Sequence, residues 1–319
     1  MFEIVFLGTS ASAPSVYRGL SAQVILAEEY RFLIDCGEGT QRQILKSGLG
    51  FKRLTRILLT HGHLDHILGL AGLLSTYMRW ESVQELEIWG GRRTLDRVQR
   101  LLYDVTLGGA TPPMPIHLID LKPGTFFEAK KFTVTAFPVS HRGPDNFGFL
   151  FEERARRPFL AERAEALGVP AGPERGALTR GESIRLADGR VIAPDDVLGP
   201  VLPGAKLVYI GDVGRTDNLP AELHGADVLV MEATYLEDEG DMAADFGHMT
   251  AARAARYAQQ AGVKALILTH LSRRNRERDV LAEARAIFPE VIVARDFDHF
   301  SVVKGKPLAR VKTTLPAEE

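Results

Sequence analysis

The chain has 319 residues, with 45% hydrophobic residues, 25% charged residues and a formal net charge of −2. It is long enough to bury a large core, its apolar runs are far shorter than the ~20 residues of a membrane span, and its charge gives no overall attraction for nucleic acid. The single cysteine, Cys36, excludes an internal disulfide, and the first residues lack the basic segment of a secretory signal, so we expect a cytoplasmic protein without membrane contacts.

Short apolar or alternating segments that end in turn residues are predicted strands. In chain order they are residues 3–7, 23–26, 31–34, 56–60, 86–89, 132–139, 207–210, 228–231, 265–269 and 291–294. Longer segments with helical spacing lie between them, at residues 40–47, 67–78, 94–103, 250–260 and 279–288. Strands interspersed with helices along the chain predict a layered α/β sandwich.

One stretch breaks this pattern. From residue 152 to 199 the composition shifts to Arg, Glu, Gly and Pro, which is typical of an arm inserted into a single domain of residues 1–319. We expect a short helix near residues 159–167 within the arm. A solvated loop or a disordered linker is the alternative that this composition leaves open. Over residues 152–180, six arginines are nearly balanced by five glutamates, so the net charge there is only +1.

The densest group of metal-ligating residue types is His61-Gly62-His63-Leu64-Asp65-His66, directly after a predicted strand. Imidazoles and a carboxylate at this spacing favour a metal site over a purely structural role. Asp65 also stands where a helix would begin, so capping that helix is its structural alternative.

Three more potential ligands, His141, Asp212 and His270, each follow a predicted strand. Side chains just beyond strand ends can face a shared cleft while the strands fix their positions. Together with the first segment they make five imidazoles and two carboxylates, which are too many for one tetrahedral ion and fit two divalent ions, with Asp212 able to span both. Such a site would attract a phosphate and stabilise the charge that develops during phosphodiester cleavage.

These residues resemble the HxHxDH motif of the metallo-β-lactamase superfamily, and wider segments are similar to its ribonuclease Z family, whose members remove 3′ trailers from precursor tRNA. The similar segments are FLGTSASAPS (6–15), FLIDCGEGTQRQI (32–44), GDVGRTDN (211–218), EATY (232–235) and FGHMTAARAA (246–255). The arm, with Gly168-Val169-Pro170 and Gly172-Pro173, is similar to the exosite by which that family grips tRNA.

The resemblance implies an αβ/βα four-layer sandwich with two Zn²⁺ ions per subunit, Mn²⁺ being the alternative metal. The implied ligands form two sets bridged by Asp212: His61, His63 and His141, then Asp65, His66 and His270. The implied reaction is the attack of an activated hydroxide on phosphorus, which leaves a 3′-hydroxyl on the tRNA. The family commonly forms a homodimer in which the arm of one subunit serves the active site of the other.

Three residues receive catalytic roles from the same resemblance. Asp65 would orient or deprotonate the nucleophile, and His248 would stabilise the phosphate or protonate the leaving 3′ oxygen, with Glu232 as its orienting partner. Structural alternatives stay open for the last two. His248 could be a polar residue at the entrance of a helix capped by Thr250, and Glu232 could serve a buried hydrogen-bond network.

Basic residues that are candidates for RNA contacts lie in the arm and after His270: Arg154, Arg156, Arg157, Arg273 and Arg274. Another arginine group, within residues 92–100, is interpreted as a solvated helix surface. The chain departs from the family at Arg18-Gly19, where an Arg-Asn pair is usual, and at Arg273-Arg274-Asn275, within the segment 269–275 where the family commonly has THxSSRY. Both departures concern the substrate pocket and leave the predicted ligands intact.

Two other functions stay open. Another metallo-β-lactamase-fold phosphodiesterase or arylsulfatase-like hydrolase acting on small molecules would need the same activated hydroxide. A non-catalytic RNA-binding module is disfavoured, because it would have no need of two ions and an activated hydroxide. No nucleotide cofactor is expected, since the Gly-containing turns lack a phosphate-loop lysine and a dinucleotide fingerprint.

Overall fold

The computed structural model describes residues 1–80 and 83–312. The described chain divides into two compact units, the first within Met1–Glu152 and Ala205–Glu319 and the second in Glu153–Gly204. None of the helices in the described ranges combines the length and the apolar character that crossing a membrane requires.

The strands, in chain order, are β1 Phe2–Gly8, β2 Ala22–Ala27, β3 Tyr30–Ile34, β4 Arg56–Leu58, β5 Leu86–Gly90, β6 Ile116–Asp120, β7 Gly124–Glu128, β8 Phe132–Pro138, β9 Phe147–Glu153, β10 Ile184–Arg185, β11 Val191–Ile192, β12 Lys206–Ile210, β13 Val228–Glu232, β14 Leu266–Thr269, β15 Val291–Val293, β16 His299–Val302 and β17 Ala309–Arg310.

The α-helices are α1 Thr40–Ser47, α2 Leu64–Ile67, α3 Leu70–Trp80, α4 Arg92–Gln99, α5 Ala161–Ala166, α6 Pro173–Thr179, α7 Pro194–Val197, α8 Gly240–Phe246, α9 Ala251–Gln260 and α10 Glu277–Arg285. A π-helical segment, Arg100–Thr106, continues α4, and short 3₁₀ turns occupy Ala221–Leu223 and Glu237–Glu239.

Two mixed sheets form the first unit. Within the described residues, one sheet has the strand order β17-β16-β1-β2-β3-β4-β5-β6 and the other has the order β15-β14-β13-β12-β9-β8-β7. Strands β3 to β6 run parallel to one another, and so do β12 to β15. Each parallel run therefore gathers the carboxyl ends of its strands at one edge of its sheet.

Alternation along the strands builds three apolar layers in this unit. In β1, Phe2, Ile4 and Phe6 pack into a core shared by the two sheets, whereas Val5 and Leu7 face a second core with α1, α3 and α4. A third core joins the other face of the second sheet to α9 and α10. Helices thus cover both outer faces, and the predicted αβ/βα sandwich is confirmed.

Two predicted helices differ from those in the structure. The predicted helix 67–78 corresponds to α3, and its first residue, Ile67, ends the separate helix α2. The two helices are interrupted at Leu68-Gly69, where the backbone nitrogen of Gly69 donates to the Cys36 carbonyl at 2.9 Å. The predicted helix 94–103 begins earlier, with α4, and changes to π-helical geometry at Arg100. Strands β6, β7, β9 and β16 and the two-residue strands β10, β11 and β17 were not predicted from the sequence.

The second unit has a small core of its own. It contains α5, α6, α7 and the antiparallel pair β10-β11. The buried side chains of Ala164, Leu178 and Val197 join these helices, and Ile192 of β11 packs with them. The predicted helix at 159–167 corresponds to α5, Ala161–Ala166.

Candidate metal centre

The predicted ligands lie just beyond the carboxyl ends of strands. His61 to His66 follow β4 and include α2, while Asp212 follows β12 and His270 follows β14. His141 comes shortly after β8. The neighbouring parallel strands of each sheet therefore carry these side chains to one edge of the sandwich.

The first group of side chains contains His61, His63, His141 and Asp212, whose ligand atoms all lie within 4.8 Å of one another. His63 Nδ1 lies 2.9 Å from His61 Nε2 and 3.4 Å from His141 Nε2. Asp212 Oδ2 lies 3.5 Å from His61 Nε2 and 3.7 Å from His141 Nε2. One carboxylate oxygen thus converges with three ring nitrogens.

The second group contains Asp65, His66 and His270, and the other oxygen of Asp212 faces it. Asp212 Oδ1 lies 3.4 Å from His66 Nε2 and 3.3 Å from His270 Nε2. Asp65 Oδ2 lies 3.6 Å and 3.5 Å from the same two nitrogens. The two oxygens of Asp212 therefore point to different histidine groups.

The spacing of these atoms, and the lack of hydrogen-bond partners for some of them, fit a cation site. Ligands about 2.0 Å from a tetrahedral zinc ion lie about 3.3 Å from one another, close to the distances in the second group. Within residues 1–80 and 83–312, His66 Nε2, His270 Nε2 and Asp212 Oδ1 are buried and have no hydrogen-bond partner. Buried polar atoms without partners are costly, and a divalent cation would satisfy all three.

A second layer of hydrogen bonds fixes the other ring nitrogens. His66 Nδ1 donates to Asp35 Oδ2 at 2.7 Å, and His141 Nδ1 donates to the Gly247 carbonyl at 2.7 Å. His61 Nδ1 lies 3.0 Å from Thr60 Oγ1, which donates to Asp35 at 2.9 Å. These contacts set each ring's orientation and leave Nε2 directed at the site.

Asp35 and Thr234 belong to this second layer and were not predicted as site residues. Thr234 Oγ1 lies 3.1 Å from His270 Nδ1 and also hydrogen-bonds Glu232. Asp35 and His270 both have positive φ, 58° and 57°, a strained geometry for non-glycine residues that is concentrated at functional sites. The position of Asp35, directly after the strand at 30–34, is the same signal that revealed Asp212 and His270.

Burial, neighbouring histidines and nearby carboxylates all act on the pKa values of these histidines. Burial lowers the pKa of His61, His63 and His141, which favours the neutral imidazoles that metals bind. Burial also disfavours the charged form of His66, but Asp212 and Asp35 outweigh it and hold the pKa of His66 well above its usual range. The negative potential that stabilises a protonated ring here equally favours a bound cation.

His248 lies beside the second group and is held by Glu232. Its Nδ1 is 3.0 Å from Glu232 Oε1 and 3.1 Å from Oε2, and Glu232 is fully buried. Burial lowers the pKa of His248, but the charge and hydrogen bond of Glu232 prevail and raise it to about 9. Because Nδ1 is engaged, the donor left to His248 is Nε2.

Glu232 also accepts hydrogen bonds from the backbone nitrogen of Val213, at 2.7 Å, and from Thr234. Glu232 is therefore part of a buried hydrogen-bond network and also contacts His248. Its contacts are compatible with both interpretations from the sequence, as a network residue and as the orienting partner of His248. Thr250 caps α9, and its hydroxyl accepts from Arg253 N at 3.1 Å. This part of the structural alternative for His248, a helix capped by Thr250, is therefore correct.

Capping is the wrong interpretation of Asp65. Helix α2 begins at Leu64, its N-cap is His63, and Asp65 lies inside the first turn. The Asp65 carboxylate accepts instead from the backbone nitrogen of Ser12, at 2.9 Å. This contact ties the loop after β1 to the second group.

The predicted RNA-contacting arginines have different surroundings. In the first unit, Arg274 Nε lies 3.1 Å from Glu239, whereas Arg273 is exposed and lines a pocket with Tyr17 and Ser272. In the second unit, Arg154 and Arg156 are exposed, and Arg157 pairs with Asp195 at 2.5 Å and donates to the Gly199 carbonyl. These three arginines belong to the second compact unit.

The departure at Arg18-Gly19 has a structural counterpart. Arg18 donates to Thr9 Oγ1 and to the Ala294 carbonyl, each at 2.6 Å, and pairs with Glu277 at 2.8 Å. The backbone nitrogen of Gly19 donates to Asp296 at 2.6 Å. A Cβ at Gly19 would lie 3.3 Å from Gln43 Nε2 and 3.4 Å from that carboxylate, both of them ends of side chains.

Sequence relatives decide the family. The sequence model of the beta-lactamase superfamily domain matches residues 30–161 and 177–271. A protein named Ribonuclease Z from Bradyrhizobium diazoefficiens is 49% identical over 302 residues, which cover 95% of this chain and all of that protein. The chain belongs to the ribonuclease Z family. The sequence-based recognition of that family is therefore confirmed.

Relatives with lower sequence identity, from other organisms, support the same assignment. A protein named Ribonuclease Z from Methanothermobacter thermautotrophicus is 39% identical over 297 residues, covering 93% of this chain and 95% of the relative. The crystal structure of human tRNase Z, short form, is similar with a TM-score of 0.65 at 28% identity, covering 94% of this chain and 99% of the human one.

Proposed function

We propose that this protein is a zinc-dependent endoribonuclease that removes the 3′ trailer from precursor tRNA in the cytoplasm. Its relatives named ribonuclease Z and its similarity to human tRNase Z support this activity. The observation that carries the proposal is Asp212, whose two oxygens face separate groups of imidazoles. A carboxylate placed between two such groups suits a pair of divalent cations, the arrangement used for in-line displacement at phosphorus.

The proposed ligands of the two ions share Asp212 and otherwise form two sets: His61, His63 and His141, then Asp65, His66 and His270. Zinc suits the predominance of imidazole, and manganese is the alternative. When bound, such ions supply an acidified water and positive charge beside the scissile phosphate.

The chain's own residues would complete the reaction. Asp65 orients the attacking water and accepts its proton, and the bond from phosphorus to the 3′ oxygen of the tRNA then breaks. His248 Nε2 donates a proton to that leaving oxygen, while Glu232 holds Nδ1 and keeps the ring in place. The products are a 3′-hydroxyl on the tRNA and a 5′-phosphate on the trailer.

We assign substrate contacts to those of the predicted arginines whose side chains are exposed. Arg273 follows His270 closely and is exposed, and we assign it to phosphate binding next to the site. Arg274, which is paired with Glu239, would contribute less. Arg154 and Arg156 of the arm would contact the body of the tRNA, whereas Arg157 mainly stabilises the arm through Asp195. We also propose a homodimer in which each arm serves the partner's site.

Cleavage of a precursor tRNA with a 3′ trailer tests the proposal, with the cut site mapped and the end groups identified. We expect a single cut that leaves a 3′-hydroxyl on the tRNA, and its loss on treatment with a chelator. A cut that leaves a 3′-phosphate, or no cut by protein reloaded with zinc, would refute the proposed activity.

Two variants separate the assigned roles. His248→Ala should lower kcat by about 10²–10⁴-fold, the range for loss of a general acid, while the metal content stays at the wild-type level. Asp65→Ala should lower both kcat and the zinc content, because it removes a ligand as well as a base. Elemental analysis of the purified variants provides the comparison, and unchanged turnover in either variant would contradict its role.

A further inference from the structure

A second pocket lies in the first unit, away from the metal centre. Its volume is about 670 Å³, and Arg31, Phe51, Lys52, Arg53 and Trp80 contribute to its lining. Arg31 stands near the beginning of β3 and Arg53 precedes β4, whereas the second-layer and ligand residues follow the ends of these parallel strands. At ~3.3 Å per residue, the length of β3 places the pocket on the order of 15 Å from the metal-binding edge.

The side chains of residues 1–80 and 83–312 that line the pocket carry positive charge and no negative charge. Within the described residues, none of its lining side chains is acidic, and Arg31, Lys52 and Arg53 form no ion pair. The Arg31 guanidinium is tied to the carbonyl of Leu49 and is half-buried. Burial and the charge of Arg53 lower the pKa of Arg31, so an anion in the pocket would relieve an unfavourable arrangement of like charges.

An exposed aromatic ring stands beside these cations. Trp80 is 57% exposed, which is unusual for so large an apolar side chain. Phe51 contacts it edge to face at a ring-centroid distance of 5.5 Å and is itself packed against Tyr77. The buried rings fix the indole while a large part of its surface stays open.

We propose that this pocket binds a nucleotide unit, with its phosphate against Arg31, Lys52 and Arg53 and its base stacked on Trp80. Cations beside an aromatic surface are the combination by which proteins bind nucleotides without a phosphate loop. The pocket is separate from the metal centre, and the proposal does not depend on the endonuclease activity. The nucleotide unit could come from free nucleotide or from an RNA strand.

Tryptophan fluorescence tests the proposal directly, because the chain has two tryptophans and the other, Trp89, packs half-buried against Phe126. Titration of the zinc-loaded protein with AMP should give saturable quenching, and inorganic phosphate should compete with it. Trp80→Phe should abolish the quenching, and calorimetry of the same variant should show weakened AMP binding. No saturable quenching, or quenching that persists in Trp80→Phe, would overturn the proposal.

Charge variants separate this pocket from the metal centre. The double variant Lys52→Gln/Arg53→Gln should weaken AMP binding by about tenfold or more, the loss expected for a charged contact. Lys130→Gln, which changes an exposed lysine outside the pocket, should leave it unaltered. Equal affinity in both would show that AMP binds elsewhere, at the metal centre for example, and would overturn the assignment.

The source of the nucleotide unit follows from a parallel titration with a short single-stranded RNA. An affinity for the RNA well above that for AMP, lost in the double variant, identifies an RNA strand as the occupant. Equal affinities per site identify free nucleotide. Both results require the Trp80 signal and so support the pocket itself.

Discussion

Asp35 fixes two imidazoles that face the Asp212 carboxylate. One of its oxygens accepts from His66 Nδ1, and both lie within hydrogen-bond distance of the Thr60 hydroxyl, which in turn contacts His61. Asp35 is fully buried and touches neither proposed ion position through its own oxygens, since these are engaged by His66 and Thr60. It is therefore a positioning residue that acts on both ligand groups.

Replacing Asp35 by Asn should weaken zinc binding by about 10–100-fold, the usual effect of losing a second-layer partner of a histidine ligand. The shape of the side chain is kept, so the fold should persist while the His66 ring loses its negatively charged acceptor. Zinc content measured after dialysis against graded chelator concentrations gives the affinity, and high zinc should restore activity.

Asp227→Asn is the matched control for this prediction. Asp227 is also a buried carboxylate, and it accepts from Lys206 N at 2.8 Å and pairs with Lys304, but it stands just before β13, at the end opposite to Glu232. Its substitution should lower the free energy of unfolding and leave zinc affinity unchanged. Equal zinc affinity in Asp35→Asn and Asp227→Asn would contradict the assignment of Asp35 as a positioning residue.

The sequence predicted the individual side chains that can ligate a metal, but it did not predict the residues that orient them. His61 to His66 are revealed by local spacing, and Asp212 and His270 by their positions after strands. Asp35 and Thr234 contact their histidines across 31 and 36 residues of chain, and Gly247 acts through a backbone carbonyl. The position after a strand marks Asp35 as a candidate, but which histidine each of these partners holds depends on the tertiary fold.

The break between α2 and α3 shows how an element boundary positions the site. Helix α2 carries Asp65 and His66, and the backbone nitrogen of Cys36 donates to the His66 carbonyl at 2.7 Å. Gly69 donates to the Cys36 carbonyl at 2.9 Å, and its missing side chain permits this approach. The segment after β3 and the helix that carries the proposed ligands Asp65 and His66 are thereby held together.

Gly69→Ala should lower the free energy of unfolding by about 1–3 kcal/mol, because the added methyl meets rigid backbone and must displace α2. Zinc affinity should fall as well, since His66 moves with the helix. Gly72→Ala in α3 is the control: its Cβ meets only the end of the Gln41 side chain, so the change in stability should be less than ~1 kcal/mol. Urea unfolding of both apoproteins compares them, and equal stabilities would contradict the close-packing argument.

Among the elements, the predicted strands lie mainly in the centres of the sheets, where residues are buried on both faces. Strands β6 and β7 lie at sheet edges and have half-buried and exposed residues, so their hydrophobic pattern is weak. The helix break at Gly69 escaped prediction for a different reason. The apolar spacing continues through it, and the interruption coincides with a tertiary contact, the hydrogen bond from Gly69 to the Cys36 carbonyl.

For the whole molecule, we expect the first unit to carry the hydrolytic activity and the second unit to be needed only for precursor tRNA. Strand β9 ends where the second unit begins, and β12, its antiparallel neighbour, pairs Lys206 with Glu152. Replacing residues 154–204 with a two-residue Asn-Gly turn should therefore preserve the first unit. The shortened protein should retain hydrolysis of a small phosphodiester such as bis(p-nitrophenyl) phosphate and lose most cleavage of precursor tRNA. Equal loss of both activities would mean that the second unit is needed for the fold of the first.

Mixing two inactive proteins tests whether the arm serves a partner subunit. The shortened protein has an intact metal centre and no arm, whereas His248→Ala has an arm and no proton donor. If each arm serves the other subunit, a heterodimer contains one complete combination, so mixing equal amounts should restore up to about a quarter of the wild-type tRNA cleavage on statistical exchange of subunits. Sedimentation of the wild-type protein should show the dimer at the same concentrations. A dimer whose mixture stays inactive, after exchange is verified with a tagged subunit, would mean that each arm serves its own site.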